Sequence, residues 1–167
     1  MIRVRRRPRG PSDRGSELIE MMLATPILLL IFAAIFDFAM LFRSWEVVTN
    51  AAREGARIGI LPGYSADEDV VSRVQQYMQA GGVLDAGSSC SAQTIAGSTC
   101  PSSVCSVCIF NTSITTPAGT FQGRSITVVA NQTLPSLSGI ATLFGGSFGT
   151  IPVGSTSVMR SEASAGP

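Results

Sequence analysis

The chain has 167 residues, of which 45% are hydrophobic and 14% charged, so it holds one modest domain beside any apolar anchor. It contains no His and no Lys, which removes the usual general base, the commonest metal ligand and the Schiff-base amine. Six of its twelve Arg residues stand in the first fifteen positions, and the remainder has six Arg against ten acidic residues. The composition disfavours an enzyme, and we predict no cofactor, no metal site and no nucleic-acid partner.

The first predicted element is a membrane-spanning helix. An apolar run extends from Leu18 to Phe42, with Glu20 and Asp37 near its two ends. A helix of that length rises about 37 Å, which is enough to cross a hydrocarbon core of about 30 Å. Basic residues beside an apolar segment stay cytoplasmic, so the arginine-rich leader predicts a cytoplasmic N-terminus and an exported C-terminal domain. Pro26 should kink the helix. We expect Asp37 to be solvated, with a role in assembly as the alternative.

The helical pattern continues over residues 44–60, beyond the apolar run. Its middle, Ala51-Ala52-Arg53-Glu54-Gly55-Ala56-Arg57, combines small residues at helical spacing with charged ones. Small residues permit close approach of another backbone. The charged side chains form either a solvated face with one pair between Glu54 and Arg57, or a face that docks on the exported domain or on the next subunit. We favour packing. The residues singled out for assembly here are Arg53, Glu54, Gly55 and Arg57.

The start of the apolar run resembles the signal of a prepilin. Arg14-Gly15-Ser16 ends the basic leader, and Glu20 is the fifth residue after Gly15. By this resemblance, a prepilin peptidase cuts between Gly15 and Ser16, and Glu20 pairs with the free amino group of Ser16 on a neighbouring subunit. The alternative for Glu20 is a carboxylate that only snorkels to the membrane interface.

A wider set of residues is similar to the TadE-like family of minor pilins or pseudopilins. The resemblance covers roughly Arg14 to Gly59 and, weakly, the last forty residues. The ordered features that carry it are the Arg-Gly-Ser leader end, Glu20, Pro26 in a Leu/Ile-rich span, Asp37-Phe38, and Ala51 to Arg57. It implies a pilin-like α+β fold, with a long N-terminal helix, a short helix and a small antiparallel sheet.

Four segments follow from these observations. Residues 1–15 form a basic cytoplasmic leader, and residues 16–43 form the transmembrane helix. Residues 44–61 continue that helix outside the membrane. Residues 62–167 form a small exported α+β domain that includes a cysteine-containing loop.

The exported domain begins with a second amphipathic helix. Ser65-Ala66-Asp67-Glu68 has the pattern of a capping box, and Gly81-Gly82 end the helix. Its predicted apolar stripe is Val70, Val71, Val74, Tyr77 and Met78. Three strand-like segments then predict the antiparallel sheet: Val104 to Ile114, Arg124 to Thr133 and Val153 to Glu162. Between the last two segments, we expect a short helical turn or loop packed on the sheet.

Four cysteines lie in nineteen positions, in and after a loop at residues 85–103. Cys90, Cys100, Cys105 and Cys108 are all the cysteines of the chain, and on the exported side they predict two disulfides. Three pairings are possible, and the spacing does not choose among them. A thioredoxin-like motif at Cys105 and Cys108 and a zinc site are the alternatives. The first lacks a helix N-terminus, and the second lacks paired CxxC knuckles.

The resemblance implies a structural function. The chain is expected to be a minor pilin or pseudopilin in a bacterial inner membrane, acting in assembly of a tight-adherence (Flp-type) pilus and in surface attachment, with the surface pilus as a further location. Its expected partners are the prepilin peptidase, other pilins or pseudopilins, the tight-adherence secretion machinery and membrane lipid. A membrane-tethered thiol-disulfide protein and an unprocessed ligand-binding module are the alternatives.

Overall fold

The computed structural model describes residues 11–61, 66–94, 100–117, 119–143, 145–146 and 149–160. The helices are α1 (Pro11–Gly59), α2 (Asp67–Ala80) and α3 (Pro135–Leu143). The strands are β1 (Ser91–Thr94), β2 (Cys105–Thr116), β3 (Gly119–Gln132) and β4 (Ile151–Arg160). The predicted α+β fold is confirmed: a long N-terminal helix, a further short helix and a small sheet. Most of the basic leader lies outside the described residues.

Helix α1 dominates the molecule. Its 49 residues rise about 73 Å, and the helix runs without interruption through Pro26. It begins at Pro11, inside the predicted leader, at a position that suits proline because the first helical amide has no intrahelical acceptor. The same helix therefore continues past the apolar run as far as Gly59.

Helix α2 lies against α1. Four members of its predicted stripe are buried, whereas Tyr77 is 39% exposed and was wrongly included. The residue before the helix is Ala66, whose side chain provides no capping hydrogen bond, and Ser65 of the predicted capping box lies outside the described residues. Three acidic residues in the first turn, Asp67 to Asp69, favour the helix through its dipole instead. Gly81 follows the last turn, as predicted.

The sheet is mixed, which corrects the prediction of a purely antiparallel sheet. Its order is β1-β2-β3-β4, with antiparallel pairs β2–β3 and β3–β4 and a parallel pair β1–β2. The unpredicted strand β1 follows Cys90, which is bonded to Cys105 at the start of β2. Because the disulfide joins the two starting ends, both strands run in the same direction, and Ser91 aligns with Ser106.

The β2–β3 hairpin orients the domain along α1. Gln132, at the end of β3, lies beside Ser44, whose Oγ is 3.1 Å from Gln132 Oε1. Arg124, eight residues earlier, donates to the carbonyl of Gly59 at 3.1 Å and pairs with Asp67. The hairpin turn, still earlier in β3, therefore points away from the apolar half of α1. Arg124 also places a cation at the C-terminus of α1, where the helix dipole favours it.

The core lies between one face of the sheet and a layer formed by α1 and α2. Small side chains on α1 allow α2 and the sheet to approach its backbone closely. The fully buried apolar residues of this core are Val48, Ala51, Ala52, Ala56, Val70, Val74, Met78, Val107, Ile126, Val128 and Ala130. Burial of this apolar surface is the main stabilising contribution to the fold.

Helix α3 corrects the prediction of a turn packed on the sheet. Its nine residues contact chiefly α1, and none of them is fully buried. Leu143, at its end, is 83% exposed. The helix is held at its first turn, where the side chain of Asp37 accepts hydrogen bonds from backbone amides of α3.

Candidate anchoring and assembly site

Among the described residues, none packs on the first part of α1. Every residue from Gly15 to Phe32 is exposed, and most of these residues are large and apolar. The helix from Gly15 to Gly59 is long and apolar enough to cross a membrane, and its most apolar stretch is not buried anywhere in the described molecule. A helix that is apolar on all sides requires an apolar surrounding, which the described part of the chain does not provide. It is therefore a candidate membrane span.

The residues predicted for processing lie on this bare part of α1. Gly15 and Ser16 are exposed and helical, and a methyl group added at Gly15 would meet nothing within 4 Å. Glycine inside a helix costs about 0.5–1 kcal/mol relative to alanine. Neither packing nor backbone conformation therefore requires a glycine at this position.

Glu20 is exposed one turn further along α1, on the same bare part. The structure brings no described cation of the chain to its carboxylate. Pro26 lies between Glu20 and Asp37, and Thr25 beside it donates to the carbonyl of Met21 at 2.6 Å. The predicted roles of Glu20 and Pro26 in assembly, and of Pro26 in kinking the helix, stay predictions.

Asp37 is not solvated, contrary to the prediction. Its side chain is 1% exposed, and its two carboxylate oxygens accept the amides of Ser136, at 3.0 Å, and Leu137, at 2.7 Å. These are the second and third residues of α3, whose first residue, Pro135, has no amide proton to satisfy. Asp37 thus caps a helix 99 residues away in sequence. Sequence reasoning missed this pairing because capping is recognised from local spacing alone.

Small residues of α1 are used inside the chain. Gly55 packs so closely that a methyl group added there would lie 2.6 Å from Cγ2 of Val74 on α2. Ala51, Ala52 and Ala56 are completely buried in the core that α1 forms with α2 and the sheet. The close approach that the sequence predicted is therefore made by α2 and the sheet of the same chain.

The charged residues of this segment lie at the margin of that contact. Glu54 accepts from Arg57 at 3.0 Å and from Arg73 of α2 at 3.1 Å. The hydrogen bond from Arg57 is the main cause that lowers the pKa of Glu54, and Arg73 adds to it against the opposing effect of partial burial. Arg53 is exposed. Glu54 therefore combines features of both predicted alternatives: a local pair with Arg57, and a contact with the C-terminal domain through Arg73.

The four cysteines form two disulfides, Cys90–Cys105 and Cys100–Cys108, with Cα–Cα distances of 4.6 and 5.8 Å. Cys105 and Cys108 are bonded to different partners and are at most 2% exposed, so the CxxC spacing does not form an exposed redox pair. On β2 these residues point to opposite faces, and the two bridges fix both faces of the strand. Within the described residues, no group of three metal-ligating side chains is found.

The fold and the bare helix together define an α+β protein with a candidate membrane span at its N-terminus. A family model described as TadE-like protein matches residues 15–57, about a quarter of the chain, which confirms the predicted resemblance for this segment. The match indicates association with the tight-adherence pilus system, and this pilin-type family is not an enzyme family. No curated protein and no solved structure matches the chain.

Proposed function

We propose that this chain is a minor pilin or pseudopilin that acts in assembly of a tight-adherence pilus and in surface attachment. The observation that carries the proposal is the division of α1: a bare apolar part, and a part that docks the small domain. The TadE-like match spans both parts. A helix of this kind holds its domain at a membrane surface and offers its bare part to lipid or to the same part of another subunit.

The orientation follows from charge. With six arginines in the first fifteen positions, the N-terminus stays in the cytoplasm and the disulfide-bonded domain is exported, where disulfides persist. The proposed partners in this placement are the tight-adherence secretion machinery and sister pilins.

Processing by a prepilin peptidase between Gly15 and Ser16 is part of the proposal. The cleavage would remove the arginine-rich leader and leave the rest of α1 with a new amino group, four residues before Glu20. The absence of a packing reason for Gly15 supports a requirement from outside the chain, such as recognition by the peptidase.

The experiment that tests the proposal is mass spectrometry of the membrane-bound protein and of its Gly15→Ala variant, expressed with its peptidase. We expect an N-terminus at Ser16 in the natural protein, and an uncut chain and loss of surface pili in the variant. Gly87→Ala is the matched control, because Gly87 also has nothing within 4 Å of an added methyl group. An N-terminus at Met1 in the natural protein, with pili unaffected by Gly15→Ala, would refute the proposal.

The role of Glu20 is tested by comparing Glu20→Gln with Glu17→Gln. Both carboxylates are exposed on the same bare part of α1, so general loss of charge affects them alike. Pairing with the amino group of Ser16 on a neighbour predicts that only Glu20→Gln reduces cross-linking to other pilin subunits. Equal cross-linking of the two variants leaves Glu20 as an interfacial carboxylate without an assembly role.

A further inference from the structure

We infer that α3 is a second membrane-inserted element, which lies in the outer leaflet beside α1 and binds lipid. The inference rests on the proposed function in one respect, namely that α1 spans a membrane with the domain outside. It goes beyond that function because it places part of the exported domain itself inside the bilayer. We infer that the exposed face of α3 contacts the acyl chains of the outer leaflet.

The level of α3 along α1 carries the first step. Asp37, where α3 begins, follows Glu20 by seventeen residues, or about 26 Å of helix, which is less than a hydrocarbon core of about 30 Å. With Glu20 at the inner edge of the core, Asp37 lies inside its outer edge, and any tilt of α1 places it deeper. The first turn of α3 is therefore at the level of acyl chains.

Burial on α1 shows the level at which the rest of the chain begins to cover this helix. Residues 15–32 are all exposed, but Ala33 and Ala34, one turn below Asp37 and on the same face, are partly covered. β3 and β4 meet α1 from the level of Asp37 onward: Gln132 of β3 lies beside Ser44, and Ile151 of β4 lines one cleft with Phe38. Cover on α1 therefore begins one turn below Asp37, on the face where Asp37 holds the first turn of α3.

The headgroup level is marked by other residues of α1. Arg43 is the first basic residue after the apolar run, and it donates to the carbonyl of Gly81 at 3.4 Å. Trp45, the only tryptophan, is 48% exposed two positions further on. Arginine and tryptophan are the side chains that favour the membrane interface. Both lie above Asp37 by about 9–12 Å of helix, which again places α3 below the headgroups.

The chemistry of α3 suits lipid. The sequence from residue 125 to residue 159 contains no charged side chain, and α3 lies within it. Leu143 is the most exposed large apolar side chain among the described residues, and Thr142 donates its hydroxyl to the carbonyl of Gly139 at 2.8 Å, inside the helix. The first turn also has the hydroxyls of Ser136 and Ser138, and the amides of Ser136 and Leu137 there donate to Asp37.

The same contact explains how a carboxylate is kept at this depth. A charged side chain at mid-bilayer costs about 2.5–3.5 kcal/mol on insertion scales, and less towards the interface. Asp37 offsets that cost with two hydrogen bonds and the positive end of the α3 dipole, and its burial keeps lipid away from the charge. Asp37 and α3 therefore enter the membrane as a pair.

The test uses the full chain in vesicles of phosphatidylethanolamine and phosphatidylglycerol, with an environment-sensitive fluorophore on a single introduced cysteine. Leu143→Cys places the label on α3, Leu29→Cys at the middle of the span, and Ser113→Cys on β2 near the membrane-distal turn. The natural cysteines are disulfide-bonded and do not react without reductant. All three positions are exposed, so the labels leave the fold intact.

We expect lipids with a nitroxide on the acyl chain to quench the labels at positions 143 and 29 and to leave the label at position 113 unquenched. If the label at position 29 is quenched and the labels at positions 143 and 113 are not, the inference about α3 is overturned. The proposal that α1 spans the membrane then still stands. If position 29 also stays in water, the anchor and the inference both fail. The label at position 143 could also report an apolar surrounding only at a high protein-to-lipid ratio, without quenching by the nitroxide lipids. That result assigns the exposed face of α3 to a second copy of the chain and overturns the lipid assignment.

Discussion

The two parts of α1 belong to one continuous helix, but they require opposite surroundings. From Gly15 to Phe32 every residue is exposed and large apolar side chains lie on all sides, whereas from Asp37 to Gly59 one face is buried under α2 and the sheet. The buried face of the second part is made of small residues, and the first part has bulky ones at equivalent spacing. The part that packs within the chain has a face of mostly small residues beside charged ones, and the part left for lipid or another subunit is apolar on all sides.

Gly55 and Gly15 show the same difference in packing between the two parts of α1. An added methyl group would collide with Val74 at Gly55 and would meet nothing at Gly15. Gly55 is thus required by the packing of this chain. Packing among the described residues does not require Gly15, and substitutions at the two sites separate a packing requirement from the proposed recognition by the peptidase.

The largest effect is expected from Gly55→Val. Its side chain would overlap Val74 and press on Ile126, so it should lower the free energy of unfolding by about 3 kcal/mol, at the upper end of the range for overpacked cores. Urea unfolding of the full chain in detergent measures the change through the fluorescence of Trp45. Gly15→Val is the control, and we expect a change below about 0.5 kcal/mol because the site is exposed. Equal midpoints for the two variants would contradict the difference between the two parts of α1.

The next effect concerns Asp37, at the boundary between the two parts. Asp37→Ala leaves the first amides of α3 without an acceptor, at a cost of about 1–3 kcal/mol, so their hydrogen exchange should become roughly tenfold to hundredfold faster. Asp37→Asn keeps one acceptor oxygen and should have a smaller effect. Glu20→Ala, in the bare part, should leave these amides unchanged. Unaltered exchange at Ser136 and Leu137 in Asp37→Ala would show that the carboxylate does not hold α3.

Local patterns predicted most of the fold. The apolar run gave α1, period-3.6 spacing gave α2, and β-branched runs gave β2, β3 and β4. Strand β1 was not predicted, because its four residues have no periodic signal of their own and their place depends on the Cys90–Cys105 bridge. Disulfide pairing is a property of the folded chain, and spacing does not encode it.

The candidate site divides in the same way. The pair of Glu54 with Arg57 was predictable, since both lie within one turn of a helix. The pair with Arg73 and the capping of α3 by Asp37 depend on tertiary structure that brings distant segments together. The sequence did indicate that Asp37 needs a partner, because a charged side chain at the end of an apolar run is costly to place in a membrane. It did not identify α3 as that partner.

The smallest effect is a pH dependence at the margin of the packed part. Because Arg57 and Arg73 lower the pKa of Glu54 in the folded chain, the unfolded chain binds more protons at acid pH. The stabilisation from this carboxylate is complete above its unfolded pKa, about 4.3, and is lost as the pH falls through the lower folded value. Urea midpoints of the natural chain and of Glu54→Gln should therefore differ at pH 7 and converge towards pH 3. The difference should be small, since water screens both arginines, which are 60% and 46% exposed.

The control is Glu46→Gln, which removes an exposed carboxylate of the same helix and should not reproduce the pH-dependent difference. A difference for Glu54→Gln that persists unchanged at pH 3 would assign the stabilisation to packing of the side chain and not to its charge.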